Sequence, residues 1–362
     1  MSAATHPQHA AIRPEWLALH QEPVLDPDQI IVDAHCHLYD RPGHRYLLSE
    51  MLADITGGHD VRATVYVQAR AMYRADGPQR MRVVGETEFA NGAAAMSASG
   101  AYGPTRVCAA IVGAAELRDP GVHEVLEAQL AAAPNRFRGI RQSASWDGDG
   151  SLLNPAYSVT EDMLESTQFR EGFRLLARFG LSFDALLFFH QLPRLTALAR
   201  AFPDTPIVLN HTGGILGIAA YATRKDEVFQ VWRDGLRALA KCENVAIKLG
   251  GLGMRMCGFG LHDRERPSSS HEIALAWEPW ILRCIDIFGP ARCMFELNFP
   301  VDKCSYSYSV GLNAFKRIAA SFGQDEKDDL FYRSAKAFYR IADLDISPAK
   351  HSQRPRGAVD RP

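Results

Sequence analysis

Short apolar runs alternate along this chain with longer stretches whose apolar positions recur every three or four residues. The short runs, bounded by turn residues, predict strands at 30–34, 63–68, 107–111, 137–141, 182–186, 207–210, 245–248 and 293–296. The periodic stretches between them predict helices at 85–97, 122–133, 168–179, 191–202, 227–241, 274–288 and 312–322. Strands alternating with helices imply a parallel sheet. Eight such units fit an α/β fold of the closed (β/α)8 TIM-barrel kind better than an open doubly wound sheet. No G-x-G-x-x-G follows the first strand, which weakens a dinucleotide-binding alternative.

The expected organisation is an N-terminal arm at 1–28, a barrel at 29–345 and a tail at 346–362. The tail is basic and Pro-rich and is expected to be disordered. Segments 143–164 and 250–271, rich in Gly and polar residues, read as long loops. In a barrel such loops sit over the active-site face.

Composition narrows the function classes. The 362 residues are 47% hydrophobic and 23% charged with a net charge of −2, so no general attraction to nucleic acid or anionic membrane is implied. The start of the chain is polar and lacks the apolar run of a signal peptide, and no stretch approaches a membrane span. Seven cysteines without a C-x-x-C pair point to reduced thiols and a cytoplasmic location. The expected partner is a small-molecule substrate, with a homodimer left open.

The ends of the predicted strands carry the chemistry. Strand one ends in His35-Cys-His37, whose two imidazoles share one face of a strand. Strand two leads to Arg70 and Tyr73, and strand four to Arg141. Strand five runs into His190, and strand six into Asn210-His211-Thr-Gly-Gly. Strand seven ends at Lys248, and strand eight leads through Glu296 and Asn298 to Asp302. Each histidine alone reads best as structural. Four of them at strand ends favour an active site. Neutral imidazoles bind divalent metals such as zinc. Guanidinium groups suit a carboxylate, so Arg70, Arg141 and Arg255 are candidates to orient an acidic substrate. For Arg255, in a loop, surface ion pairing is an equal reading.

The motifs Val32-Asp-Ala-His-Cys-His-Leu-Tyr-Asp40, Phe137-Arg-Gly-Ile-Arg141, His190-Gln-Leu-Pro193 and Ile207-Val-Leu-Asn-His-Thr-Gly-Gly214 together resemble the amidohydrolase superfamily. Val245-Ala-Ile-Lys-Leu-Gly-Gly251 and Met294-Phe-Glu-Leu-Asn-Phe-Pro300 add to that likeness. The similarity is to the amidohydrolase-related branch that contains lactonases, and it runs from about residue 11 to 343. It implies a TIM-barrel hydrolase. It implies His35, His37 and His211 as metal ligands, with His190 and His211 as catalytic histidines. Arg141, with Arg70, Tyr73, Lys248 and Arg255, would bind substrate. The cofactor implied is one divalent metal ion at most, zinc first, with metal-free catalysis as the alternative.

One departure stands out. Where many members carry an aspartate on the last strand, this chain has Asn298, and an amide is neither a general base nor a good ligand. Glu296, two residues earlier on the same face, and Asp302 are candidates to replace it. An ion pair of Glu296 with Lys248 inside the barrel is the competing reading. The leading expectation is hydrolysis of a small carboxylate-bearing lactone or related cyclic ester or amide. The rivals are a metal-dependent decarboxylase or hydratase acting on an aromatic acid, and a non-catalytic small-molecule binding barrel.

Overall fold

The computed structural model describes residues 11–342 and residue 344. The predicted tail at 346–362 and the first ten residues of the arm lie outside the described residues. Strand β1 (Ile30–Cys36) is followed by an antiparallel hairpin, β2 (Tyr39–Arg41) and β3 (His44–Tyr46). The remaining strands are β4 (Asp60–Val67), β5 (Arg106–Gly113), β6 (Phe137–Ile140), β7 (Ser182–Ala185), β8 (Ile207–Leu209), β9 (Val245–Leu249) and β10 (Cys293–Phe295). These seven and β1 form one parallel sheet in chain order. Its two edges meet just past the strand ends. The Asn298 N–H donates to His35 O at 3.0 Å, and the His37 N–H donates to Phe299 O at 2.8 Å.

A helix covers each step of the barrel. They are Leu48–Ile55, Val84–Ala98, Val122–Ala132, Thr167–Arg178, Leu192–Ala201, Lys225–Leu239, Ser270–Phe288 and Tyr308–Ile318. The predicted (β/α)8 architecture is therefore the observed one. Only Leu48–Ile55, two turns long, is left unmarked by the apolar pattern. Strand ends differ from the sequence reading by one to three residues, β4 most, because Asp60 already pairs with Ile30.

Alternation along the strands builds two apolar layers. Ile31, Tyr66, Phe183, Ile247 and Phe295 face the helices and pack with residues such as Phe173, Trp232 and Trp277. Val32, Ala34, Val65, Val208, Ala246 and Met294 face the barrel interior. Tyr332, Ala335, Tyr339, Ile341 and Leu344, from the C-terminal segment, fill the interior from the strands' N-terminal side. Each large apolar side chain buried this way contributes roughly 1.5–3 kcal/mol. The polar side chains that line the cavity lie at the opposite end.

The described part of the arm straps across the 255–271 loop. Trp16 Nε1 donates to Arg264 O at 3.0 Å, and Glu22 accepts from Ser270 N at 3.1 Å and from Asn313 Nδ2 at 2.8 Å. All seven cysteines are buried. Among the described residues no helix is long and apolar enough to cross a membrane.

Candidate active site

A cavity of about 380 Å³ opens at the C-terminal end of the barrel, within the range of small-molecule sites. Residues just past β1, β4, β6, β7, β8, β9 and β10 line it, among them His37, Arg70, Arg141, Phe188, His211, Met254 and Asn298.

The two histidines of the first motif reach this end through a local irregularity. Ile31 and Asp33 face the helices, and strict alternation would send His35 the same way. The pairing of β1 with β4 slips between Asp33 and Cys36. The slip turns His35 and His37 inward and Cys36 outward, as bulges beside active sites do. Asp33 stays outside, accepting from Tyr308 OH at 2.9 Å and from Leu297 N at 3.1 Å.

Glu296 is buried between two of the histidines. His211 Nδ1 lies 2.8 Å from its Oε1, and His35 Nδ1 lies 2.7 Å from its Oε2. That second contact lacks hydrogen-bond alignment, so Oε2 is a buried oxygen with no hydrogen-bond donor. Lys248 Nζ also stands 3.2 Å from His35 Nδ1, and Arg141 Nη1 stands 3.1 Å from His35 Nε2. Burial, and then the Lys248 ammonium, hold the His35 pKa well below its ordinary value. Burial and the Arg141 guanidinium do the same for His37. Both imidazoles are therefore neutral at neutral pH.

Backbone conformation places His211. It and Thr212 adopt left-handed φ of 53°, and Gly213 and Gly214 continue that turn at φ 81° and 69°. The Trp232 indole N–H donates to Thr212 O at 2.7 Å and anchors it. A Cβ on Gly214 would sit 1.8 Å from Leu187 O, so only glycine fits.

The candidates named from sequence fall into three groups. His35, His37, Arg141, His211, Glu296 and Asn298 come together at the cavity floor. Arg70 stands at the mouth, its guanidinium 5.2 Å over the Tyr157 ring. Four others are placed elsewhere. Lys248 is fully buried below His35 and pairs with Asp184 Oδ2 at 2.7 Å. It forms no ion pair with Glu296 and does not line the cavity; its other contact is His35 Nδ1, and the Tyr339 hydroxyl joins Asp184 in the layer beneath. His190 is a quarter exposed and bonds Asp147 Oδ2 at 2.9 Å, and Tyr221 OH donates to the same oxygen at 2.7 Å. Arg255 is exposed in a one-turn helix, and Tyr73 is half-buried; neither lines the cavity.

The expected metal triad also shifts. The ligand atoms that converge, all within 4.8 Å, belong to His35, His211 and Glu296. His37 is turned away: its Nδ1 donates to Val67 O at 2.7 Å and its Nε2 faces Asn298 Oδ1 at 3.2 Å. Asn298 Nδ2 in turn donates to Asp302 Oδ1 at 2.8 Å, which keeps Asp302 a layer away from the cluster. Two imidazoles and a carboxylate with an unpartnered buried oxygen suit one Zn²⁺, against the repulsion of the neighbouring Lys248. Asp184 and Asp147 were not singled out in the sequence. A lone aspartate inside the apolar run Ser182-Phe-Asp-Ala185 was the available signal for the first.

Among known proteins, y4mH of Sinorhizobium fredii, itself uncharacterised, is 37% identical over 231 residues, 64% of this chain and 69% of its own. An L-fucono-1,5-lactonase of Burkholderia ambifaria is 27% identical over 241 residues, 66% of this chain and 72% of its own. The fold matches the crystal structure of an amidohydrolase from Burkholderia multivorans with bound Zn at a TM-score of 0.65. That match has 24% identity and covers 86% of this chain and 99% of the other. Other barrels of this fold include both hydrolases and decarboxylases. The family model described as amidohydrolase matches residues 32–341. The chain belongs to the amidohydrolase family.

Proposed function

We propose that this protein hydrolyses a small carboxylate-bearing lactone, or a related cyclic ester or amide. The observation that supports this most is the His211–Glu296 pair beside Arg141 at the floor of the cavity. Glu296 Oε1 accepts from His211 Nδ1 at 2.8 Å, which leaves Nε2 as the basic nitrogen. Arg141 Nε is buried without a hydrogen-bond partner. It is a donor suited to a developing oxyanion.

His211 Nε2 takes a proton from water as the water oxygen attacks the carbonyl carbon. Arg141 holds the resulting oxyanion. Collapse breaks the ring carbon–oxygen bond, and the proton on His211 passes to the leaving alkoxide to give the hydroxy acid. A zinc ion held by His35, His211 and Glu296 would supply Lewis-acid polarisation of the carbonyl and would take up the lone pair of His211, so the proton transfer through His211 belongs to the metal-free site. Seven buried cysteines without a C-x-x-C pair fit a reducing, cytoplasmic setting. The 27% identical lactonase lends support to ring opening, though not to a sugar substrate.

The test is ring opening of a lactone panel followed by proton release, with Glu296→Gln and Arg141→Met as controls. Turnover that falls at least a hundredfold in both variants is expected. Carbon dioxide release from aromatic acids without lactone opening would replace this reading by a decarboxylase. Asn298 favours that second reading, since decarboxylation needs no carboxylate base there.

A further inference from the structure

Three arginines meet at the end of β4, and together they define the substrate more narrowly than the reaction does. Arg141 Nη2 donates to Gln68 O, and Arg41 Nη2 donates to Ala69 O, the next carbonyl along the chain. Arg70 is the residue after that, its backbone held at a left-handed φ of 58° with its N–H donating to Gln68 Oε1 at 3.2 Å. All three side chains line the cavity. Arg41 lies flat on Tyr39, 4.2 Å from the ring centroid, and Arg70 lies over Tyr157. Both aromatic rings line the same cavity.

No aspartate or glutamate is among the cavity-lining residues, and no ion pair of these three arginines is found among the described residues. The buried carboxylate of Glu86 lies behind the segment. Its Oε1 accepts from Ala69 N at 2.6 Å and Ala71 N at 3.2 Å, so it faces away from the cavity. Three guanidinium groups that line one cavity without an acidic partner repel one another, with solvent screening part of that repulsion at exposed Arg70. An anion between them removes that cost. The opposite wall, Leu187, Phe188, Ile215, Met254 and Met256, is apolar.

We propose that the substrate is a dianion with an apolar body, its scissile carbonyl meeting Arg141 at the floor, one carboxylate meeting Arg70 and the second meeting Arg41 at the mouth. The inference rests on the hydrolytic reading for its reaction and on the arginine wall alone for its charge. Arg41, carried on the β2–β3 hairpin, is then the residue that separates dicarboxylates from monocarboxylates and from uncharged sugar lactones. Two separate guanidinium sites also fix the orientation of the ring against the His211 side.

The experiment is calorimetric titration of the full-length protein with isophthalate and with benzoate, which share a ring and differ by one carboxylate. Isophthalate is expected to bind at least tenfold tighter, with the preference shrinking as salt rises. Arg41→Gln keeps a donor for Ala69 O and removes the charge. It is expected to abolish the preference while leaving benzoate affinity within threefold and the melting temperature unchanged. Equal affinity for the two acids, no binding of either, or a preference that survives in Arg41→Gln overturns the proposal. Lactone turnover without a dicarboxylate preference would overturn the dianion and leave the hydrolase standing. The preference without any lactone turnover would do the reverse.

Discussion

His211 is held twice by one oxygen: Glu296 Oε1 accepts from its Nδ1 at 2.8 Å and from its backbone N–H at 3.1 Å. The carboxylate therefore sets both the tautomer of the ring and the position of the left-handed turn that carries it. Glu296→Gln keeps the shape but presents an amide. We expect a loss in kcat on the order of 10²–10⁴-fold, the usual range for a lost acid–base group, with KM changed less than threefold. Steady-state kinetics on any turned-over lactone checks it. An unchanged kcat would remove Glu296 from the mechanism.

Gly251 is the wall against which His211 rests. It has φ 66°, and a Cβ there would lie 2.4 Å from His211 Nδ1. Gly251→Ala is expected to destabilise the fold by about 1–3 kcal/mol and to displace the imidazole from Glu296. Gly148 has nothing within 4 Å of an added Cβ and serves as the control. Chemical denaturation and activity should separate the two variants, and identical behaviour would refute the packing account.

Lys248 and Asp184 form a fully buried ion pair at 2.7 Å. Lys248→Met would strand the Asp184 charge, and a loss of about 3–5 kcal/mol is expected. The double variant Lys248→Met/Asp184→Asn removes both charges and should be more stable than the single one. A double-mutant cycle in urea measures this directly. Additive losses would show that the pair is not coupled.

Asp302 shows a pH dependence with a definite sign. Burial pushes its pKa up to about 7 from the ordinary 3.8, against hydrogen bonds from Gly253, Asn298 and Tyr306 that pull it down. The folded state holds this proton more tightly than the unfolded chain, so the group favours folding below its unfolded pKa. That contribution fades as pH rises through about 7, at roughly 1.4 kcal/mol per pH unit between the two values. Asp33, raised to about 6 by burial, acts in the same direction. The lowered pKa values of His35 and His37 act oppositely in the acid range, so the wild-type profile alone is ambiguous. The difference between wild type and Asp302→Asn should slope with pH from 4 to 7. A flat difference would mean that Asp302 ionises normally.

His190 belongs to a latch instead of the cavity floor. Through Asp147 it ties the 143–164 loop, which carries the cavity residues Ser143, Ser145, Asn154 and Tyr157, to Tyr221. His190→Gln should keep kcat within tenfold. Asp147→Ala should raise KM and speed proteolysis of the loop. A His190→Gln variant that is inactive but fully folded would restore a catalytic histidine.

The alternation of apolar runs and amphipathic stretches was enough to determine a (β/α)8 barrel, since strands buried on both faces read as continuous apolar segments. It also located the site, because strand ends are where polar residues interrupt those segments. Glu296 and Asn298, just past β10, share one inward face as their spacing of two implied. What sequence spacing could not decide were contacts between strands far apart in the chain. The slip in β1 that turns His35 and His37 inward depends on pairing with β4. The choice of Asp184 as the partner of Lys248 depends on Tyr339 entering the barrel from the C-terminal segment, some 155 residues later. The displacement of His190 from the site depends on Asp147 reaching it from a loop. The gathering of Arg41 and Arg141 on two adjacent carbonyls, beside Arg70, arises only when the barrel closes and brings the hairpin, β4 and β6 to one rim. Periodicity is a property of neighbours along the chain and is legible there. Charge pairing is a property of neighbours in space, and only the closed barrel supplies them.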